Sequence, residues 1–179
     1  MRKSCMIALT LLITAFSATA VSCAGSGSQL KKDAAAKMAR GFSCTAKVSW
    51  ESNNYEVKIT RPADGGCTLT FVSPSELNSL CFSAGSSGAK ITFGGLGISV
   101  DTSSLPQYAM YKAFSACFDS CLSPDSLSTV QRGGNTGITG KNALGRFTLT
   151  FDANLNPVML EISEANLTAH FYNFQYNQP

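Results

Sequence analysis

The chain has one histidine, His170, and one tryptophan, Trp50, in 179 residues. A metal centre built on imidazoles therefore has no ligand set. The seven cysteines contain no Cys-x-x-Cys pair, so a zinc framework is also excluded. Charge is sparse, with 14 Lys and Arg against 11 Asp and Glu, and no basic block. That pattern excludes a nucleic-acid surface. The apolar run from Met6 to Phe16 falls short of the about 20 residues that a membrane span needs.

What is present begins at the N-terminus. Arg2 and Lys3 precede the apolar run, and small residues Ala20-Val21-Ser22 precede Cys23. This is the layout of a secretory signal peptide. With cysteine at the cut site it resembles the lipobox of bacterial lipoproteins, in which that cysteine receives a diacylglyceryl group and becomes the mature N-terminus. Ala20 stands where Leu is more usual. The alternative is an ordinary leader cut after Ala18 or Ala20. The expected organisation is a lipoprotein signal peptide over 1–22, a flexible tether over 23–29 and one folded domain over 30–179. The tether is read from the small, uncharged residues Ala24 to Gln29. Acyl chains contribute about 0.8 kcal/mol per buried CH₂, so two or three give stable anchoring. The resemblance implies no cofactor beyond that diacylglyceryl group and its fatty acids, such as palmitate, on Cys23. It implies an extracytoplasmic protein anchored to a membrane, the outer membrane if the source has one.

Removing residues 1–22 leaves 157 residues, enough for one domain with its own core. Arg2 and Lys3 leave with the leader, so 12 basic side chains then face 11 acidic ones. Lys31 and Lys32 lie close enough to the tether to meet anionic headgroups. Five cysteines remain in the folded part: Cys44, Cys67, Cys81, Cys117 and Cys121. Export permits disulfides, but an odd number cannot all pair within one chain. They are read here as small buried apolar residues.

Leu30 to Arg40 is alanine-rich and predicts a short helix stopped by Gly41. Phe42 to Trp50 alternates, with Phe42, Cys44, Ala46, Val48 and Trp50 on one face, and predicts a half-buried strand. Ser52-Asn53-Asn54 supplies a turn. Tyr55, Val57 and Ile59 mark the next strand, and Cys67, Leu69 and Phe71 a third after Ala63-Asp64-Gly65-Gly66. Short strands are predicted over 80–84, 89–93 and 96–100. Each clear strand has one apolar and one polar face, as in a single curved sheet wet on one side.

The period then changes. Asp101 to Ser104 offer capping oxygens and Pro106 suits a first helical turn. Met110, Ala113, Phe114, Cys117, Phe118 and Cys121 recur at spacings of three and four, which predicts an amphipathic helix ended by Ser123-Pro124. Residues 123–134 read as loop. Strands resume over 136–140, then through Phe147, Leu149 and Phe151, through Val158, Leu160 and Ile162, and through Leu167, Ala169, Phe171 and Asn173. The expectation is about nine strands and two helices. The fold class is α+β: a curved antiparallel sheet forming an unclosed β-barrel, with helices covering the concave face.

Candidates for chemistry are few. His170 has no nucleophile beside it in sequence. Asp119 and Asp125 flank a helix end, Glu161 and Glu164 flank a turn, and all four read as solvated carboxylates. Gly94-Gly95-Leu96-Gly97 lacks the strand–loop–helix setting of a phosphate cradle. Asn166-Leu167-Thr168 is a glycosylation sequon only in a suitable secretory system. The expectation is a protein that is not an enzyme, with no catalytic residues.

The order of elements resembles the LolA/LolB-like lipoprotein carrier fold over most of residues 30–179. The residues that carry it are the helix running into Gly41-Phe42-Ser43-Cys44-Thr45-Ala46, the strand ending Ile59-Thr60-Arg61-Pro62, and Phe71-Val72-Ser73-Pro74. A helical interruption and a late pair of strands follow. In that family a half-barrel cavity holds the acyl chains of a lipoprotein. The resemblance therefore implies lipid binding, with a lipid, lipoprotein or envelope protein as partner. Residues placed to line such a cavity are Phe42, Val48, Trp50, Val57, Ile59, Leu69, Phe71, Phe147, Leu149 and Phe151, with Phe114 and Phe118 as a lid. A filled core has the same sequence pattern. A tethered interaction or scaffold module with a packed interior is the alternative.

Overall fold

A computed structural model describes residues 24–85, 88–97 and 105–178. Helix α1 spans Ala24–Ala39. Strands β1 (Phe42–Trp50), β2 (Asn53–Arg61), β3 (Thr68–Ser73), β4 (Leu80–Gly85), β5 (Gly88–Phe93) and β6 (Leu96–Gly97) follow as one meander. Helix α2 (Pro106–Cys121) interrupts it. A second meander runs through β7 (Ser128–Arg132), β8 (Asn135–Asn142), β9 (Gly145–Phe151), β10 (Pro157–Ile162) and β11 (Leu167–Tyr176).

The first and last strands join the meanders. β1 pairs antiparallel with β11 from Phe42–Tyr176 to Trp50–Leu167. The result is an 11-stranded sheet in the order β6-β5-β4-β3-β2-β1-β11-β10-β9-β8-β7. Its two edges, β6 and β7, do not pair, so the barrel is open. The fold is α+β, with α2 laid across the concave side.

Several local features differ from the sequence reading. Ala24 to Gln29, expected as a flexible spacer, is helical as the start of α1. Gly27 has a packing reason there: a Cβ at Gly27 would sit 2.9 Å from Thr129 Oγ1 of β7. Lys31 Nζ also donates to Leu127 O at 2.9 Å, tying the helix to the start of β7. The 1–22 leader and Cys23 lie outside the described residues, as do the capping residues 101–104.

The β1–β2 turn is Glu51-Ser52, both at positive φ (46° and 67°), because Asn53 already pairs with Trp50. Two such residues match the right-handed twist of a tight hairpin. Residues 128–132, within the expected loop, form edge strand β7; mostly exposed on both faces, it lacks the alternation that marks a half-buried strand. The described residues thus hold eleven strands rather than nine.

Two bulges break the expected stripes. The β1–β11 register slips between Ser43 and Thr45, where Asn173 takes φ 52°. Asn173 is therefore exposed, and Phe174 turns inward to stack on Phe42 with ring centroids 4.8 Å apart. The β9–β10 register slips between Pro157 and Met159, which buries Pro157 and leaves Val158 half-buried.

Gly41 is fixed by geometry. It follows α1 at φ 74°, and a Cβ there would lie 2.4 Å from Arg61 O. Its carbonyl accepts Asn177 N at 3.0 Å, so the end of α1, the end of β2 and the C-terminal segment meet at this point.

Candidate functional site

The concave face under α2 is the first candidate. Met110, Tyr111, Ala113, Phe114, Cys117, Phe118 and Cys121 form the buried stripe of that helix. Phe118 meets Phe42 edge-to-face at 5.0 Å, and Phe114 meets Phe171 edge-to-face at 6.2 Å. Toward the other end, Tyr111 stacks on Phe82 at 6.2 Å. These arrangements are the ones aromatic quadrupoles favour.

All twelve residues placed on the concave side by the sequence lie in one buried cluster. Phe42, Val57, Ile59, Leu69, Phe71, Phe114, Phe118, Phe147 and Leu149 have no accessible surface; Phe151, Val48 and Trp50 retain 1%, 2% and 9%. A side chain with no accessible surface touches no water-sized void, open or enclosed. In this conformation the helix stripe fills the trough at those positions.

Among the described residues one ion pair crosses this apolar interface. Arg61, at the end of β2, is 2% exposed, and its Nη2 lies 2.8 Å from Asp119 Oδ1 on the last turn of α2. Its Nη1 donates to Gly66 O at 3.3 Å. Asp119, expected as a merely solvated carboxylate, thus holds α2 to the sheet while remaining 58% exposed. Glu161 is likewise paired, 3.0 Å from Arg132. Asp125 and Glu164 are exposed, and Glu164 accepts Arg146 N at 2.8 Å.

The five cysteines at 44, 67, 81, 117 and 121 are free thiols, all buried except the half-buried Cys81. Burial pushes the Cys67 and Cys117 thiols up to about 12, and raises Cys44 and Cys121 as well. Thiols held protonated are poor nucleophiles. Among the described residues no group of three or more His, Cys, Asp or Glu is placed to hold a metal ion.

His170 points to the convex face, as its alternation implies. It pairs across strands with Lys47, beside Glu56 and Ser73, in a depression of about 290 Å³. Sequence reading missed this grouping because His170 comes from the last strand, which only the β1–β11 pairing sets beside the first three. It also missed an exposed apolar tip. Phe93 and Leu96 flank the Gly94-Gly95 turn of the β5–β6 hairpin, 46% and 75% exposed. Leu96 beside two turn glycines was the available signal.

No protein-family model matches the chain, and no curated protein matches it by sequence. Among solved structures, the chain is similar to an uncharacterized conserved protein from Thermus thermophilus, with 10% identity over 84% of this chain and 88% of that one, TM-score 0.51. The likeness is one of fold. Matches also include a LolA superfamily protein from Nitrosomonas europaea (5% identity, 86% and 94% covered, TM-score 0.41) and LprF from Mycobacterium bovis (12% identity, 87% and 95% covered, TM-score 0.45).

Proposed function

We propose that the chain is an extracytoplasmic lipoprotein, anchored through a diacylglyceryl group on Cys23, that takes up the acyl chain of a lipid or lipidated partner beneath α2. It is a binding protein and not an enzyme. The observation that carries this reading is the arrangement of the lid. Helix α2 lies over the concave apolar face with its buried stripe against the sheet, and its C-terminal turn is held by the Arg61–Asp119 ion pair.

The largest apolar terms of the exchange are comparable. Of the seven buried residues that lifting α2 uncovers, Met110, Phe114 and Phe118 are the large apolar ones with no accessible surface. At about 1.5–3 kcal/mol per large apolar side chain, exposing these three costs roughly 5–9 kcal/mol. Burying an acyl chain of about 12 methylenes yields about 10 kcal/mol. An acyl chain of that length offsets the exposure of those three side chains.

The filled trough favours a second reading. If the interior stays packed, the anchored domain is an interaction module that docks an envelope protein on its outer surface, with the exposed Phe93–Leu96 tip as an apolar contact.

Native mass spectrometry of the protein extracted in mild detergent, followed by titration with a fluorescent fatty acid, separates the two. The carrier reading expects co-purifying lipid or saturable uptake, both reduced by Ala46→Trp in a chain that still folds. Absence of lipid and of uptake rejects it. Capture of a crosslinked partner undiminished by Ala46→Trp supports the interaction module. Metabolic labelling with an acyl precursor, compared with Cys23→Ala, tests the anchor separately.

A further inference from the structure

The convex face carries charges that the concave site does not use. In register across the sheet stand His170 on β11, Lys47 on β1, Glu56 on β2 and Ser73 on β3. Directly opposed Lys and Glu on neighbouring strands have Cβ atoms about 5 Å apart and ordinarily pair. Here Lys47 and Glu56 form no ion pair within 4.0 Å. Glu56 instead accepts the phenol of Tyr172, with Tyr172 Oη to Glu56 Oε1 at 2.6 Å.

Tyr172 sits on β11 and Glu56 on β2, so this hydrogen bond reaches over β1. The Lys47 ammonium stands 5.9 Å from the centroid of the Tyr172 ring. The tyrosine thus holds the carboxylate away from the ammonium. Beside them the β2–β3 ladder slips at Glu56–Val57, leaving Val72 unpaired. At this place lies the depression of about 290 Å³, which Ser49, Asn54, Ser73 and His170 share with Lys47 and Glu56. Its size is at the lower end of small-molecule sites, ~300–1,000 Å³.

We propose that this depression binds a small zwitterion of the amino-acid class, a free amino acid or a short peptide. The ligand carboxylate meets Lys47 with His170 beside it. The ligand ammonium meets the Glu56 oxygen that Tyr172 leaves free. An anion alone would face Glu56 unfavourably, and a cation alone would face Lys47. A ligand carrying both charges satisfies the separated pair. The site lies on the opposite face of the sheet from α2 and does not depend on lid movement.

The test is an NMR titration of the mature chain with L-alanine, D-alanine, acetate and methylammonium. Saturable shifts at His170 and Ser73 are expected with an alanine at concentrations on the order of 10 mM or below. Acetate and methylammonium should bind at least about tenfold more weakly, because each makes only one charge-assisted contact. Lys47→Met and Glu56→Gln should each weaken alanine binding by about tenfold or more. Lys47 is exposed and Glu56 half-buried, so both variants should keep the wild-type circular dichroism spectrum. The proposal is overturned if neither alanine gives saturable shifts, if acetate binds as well as alanine, or if folded Lys47→Met binds alanine as the wild type does.

Discussion

Arg61 Nη2 and Asp119 Oδ1 lie 2.8 Å apart, joining the end of β2 to the last turn of α2. The two partners are unlike: the guanidinium is nearly inaccessible and the carboxylate is half in water. A buried charge is costly unless paired, whereas a solvated one is not. The guanidinium therefore depends on its partner, whereas the carboxylate would remain solvated without it.

Asp119→Asn leaves the guanidinium with one neutral partner in place of a charged one. It should lower unfolding free energy by about 1–2 kcal/mol, less than loss of a fully buried partner because Asp119 is exposed. Arg61→Met, which removes the charge and keeps apolar volume, should cost less than Arg61→Ala. Urea denaturation measures both. Under the carrier reading, Asp119→Asn should also speed uptake of a fluorescent fatty acid, because the end of α2 is freed. Wild-type stability and wild-type uptake in Asp119→Asn would remove the latch from the account.

Gly41→Ala should be far more damaging than Gly94→Ala. Both glycines have positive φ (74° and 57°), so backbone strain is common to the two. Only Gly41 is crowded, with Arg61 O 2.4 Å and Ala63 N 2.8 Å from the added carbon; around Gly94 nothing lies within 4 Å. Strain alone costs about 1–2 kcal/mol, and the backbone clash adds to it at Gly41. Comparable melting temperatures for the two variants would contradict this packing.

The difference between these two glycines shows where sequence reading stops. Alternation in 42–50 and in 147–151 defined β1 and the inward face of β9, because period two is a property of the strand itself. The helical stripe from Met110 to Cys121 was legible for the same reason. Asn173 was placed inward because alternation cannot register a bulge; one left-handed residue moves Phe174 into that position. β7 went unseen because an edge strand exposed on both faces carries no pattern. Asp119 is far in sequence from Arg61, and Tyr172 from the Lys47–Glu56 hairpin pair, and only the folded sheet brings them together.

Leu96→Ser should leave stability within about 0.5 kcal/mol of wild type, since the side chain is 75% exposed. It should instead reduce whatever surface engagement the β5–β6 tip provides. Flotation with liposomes, and crosslinking in whole cells, report on membrane and protein contacts respectively. An unchanged result in both would assign Leu96 no part in docking.

The buried thiols make the fold sensitive to alkali. Cys67 and Cys117 are raised from 9.0 to about 12, chiefly by burial, and Cys44 and Cys121 are raised for the same reason. Each is held neutral in the folded state and ionises more readily once unfolded. Its contribution to stability is complete below the unfolded pKa and is lost as pH rises through the folded one. The melting temperature should therefore be flat up to about pH 8 and fall steadily between about pH 9 and 12. Replacing Cys44 and Cys121 by Ala should flatten that fall. In native protein near neutral pH, Cys81 should react first with a thiol reagent because it alone of the five is only half-buried. The other four should react at rates set by opening of the structure. Rapid labelling of all five in the native state, or a melting temperature unchanged between pH 8 and 11, would contradict the burial on which this prediction rests.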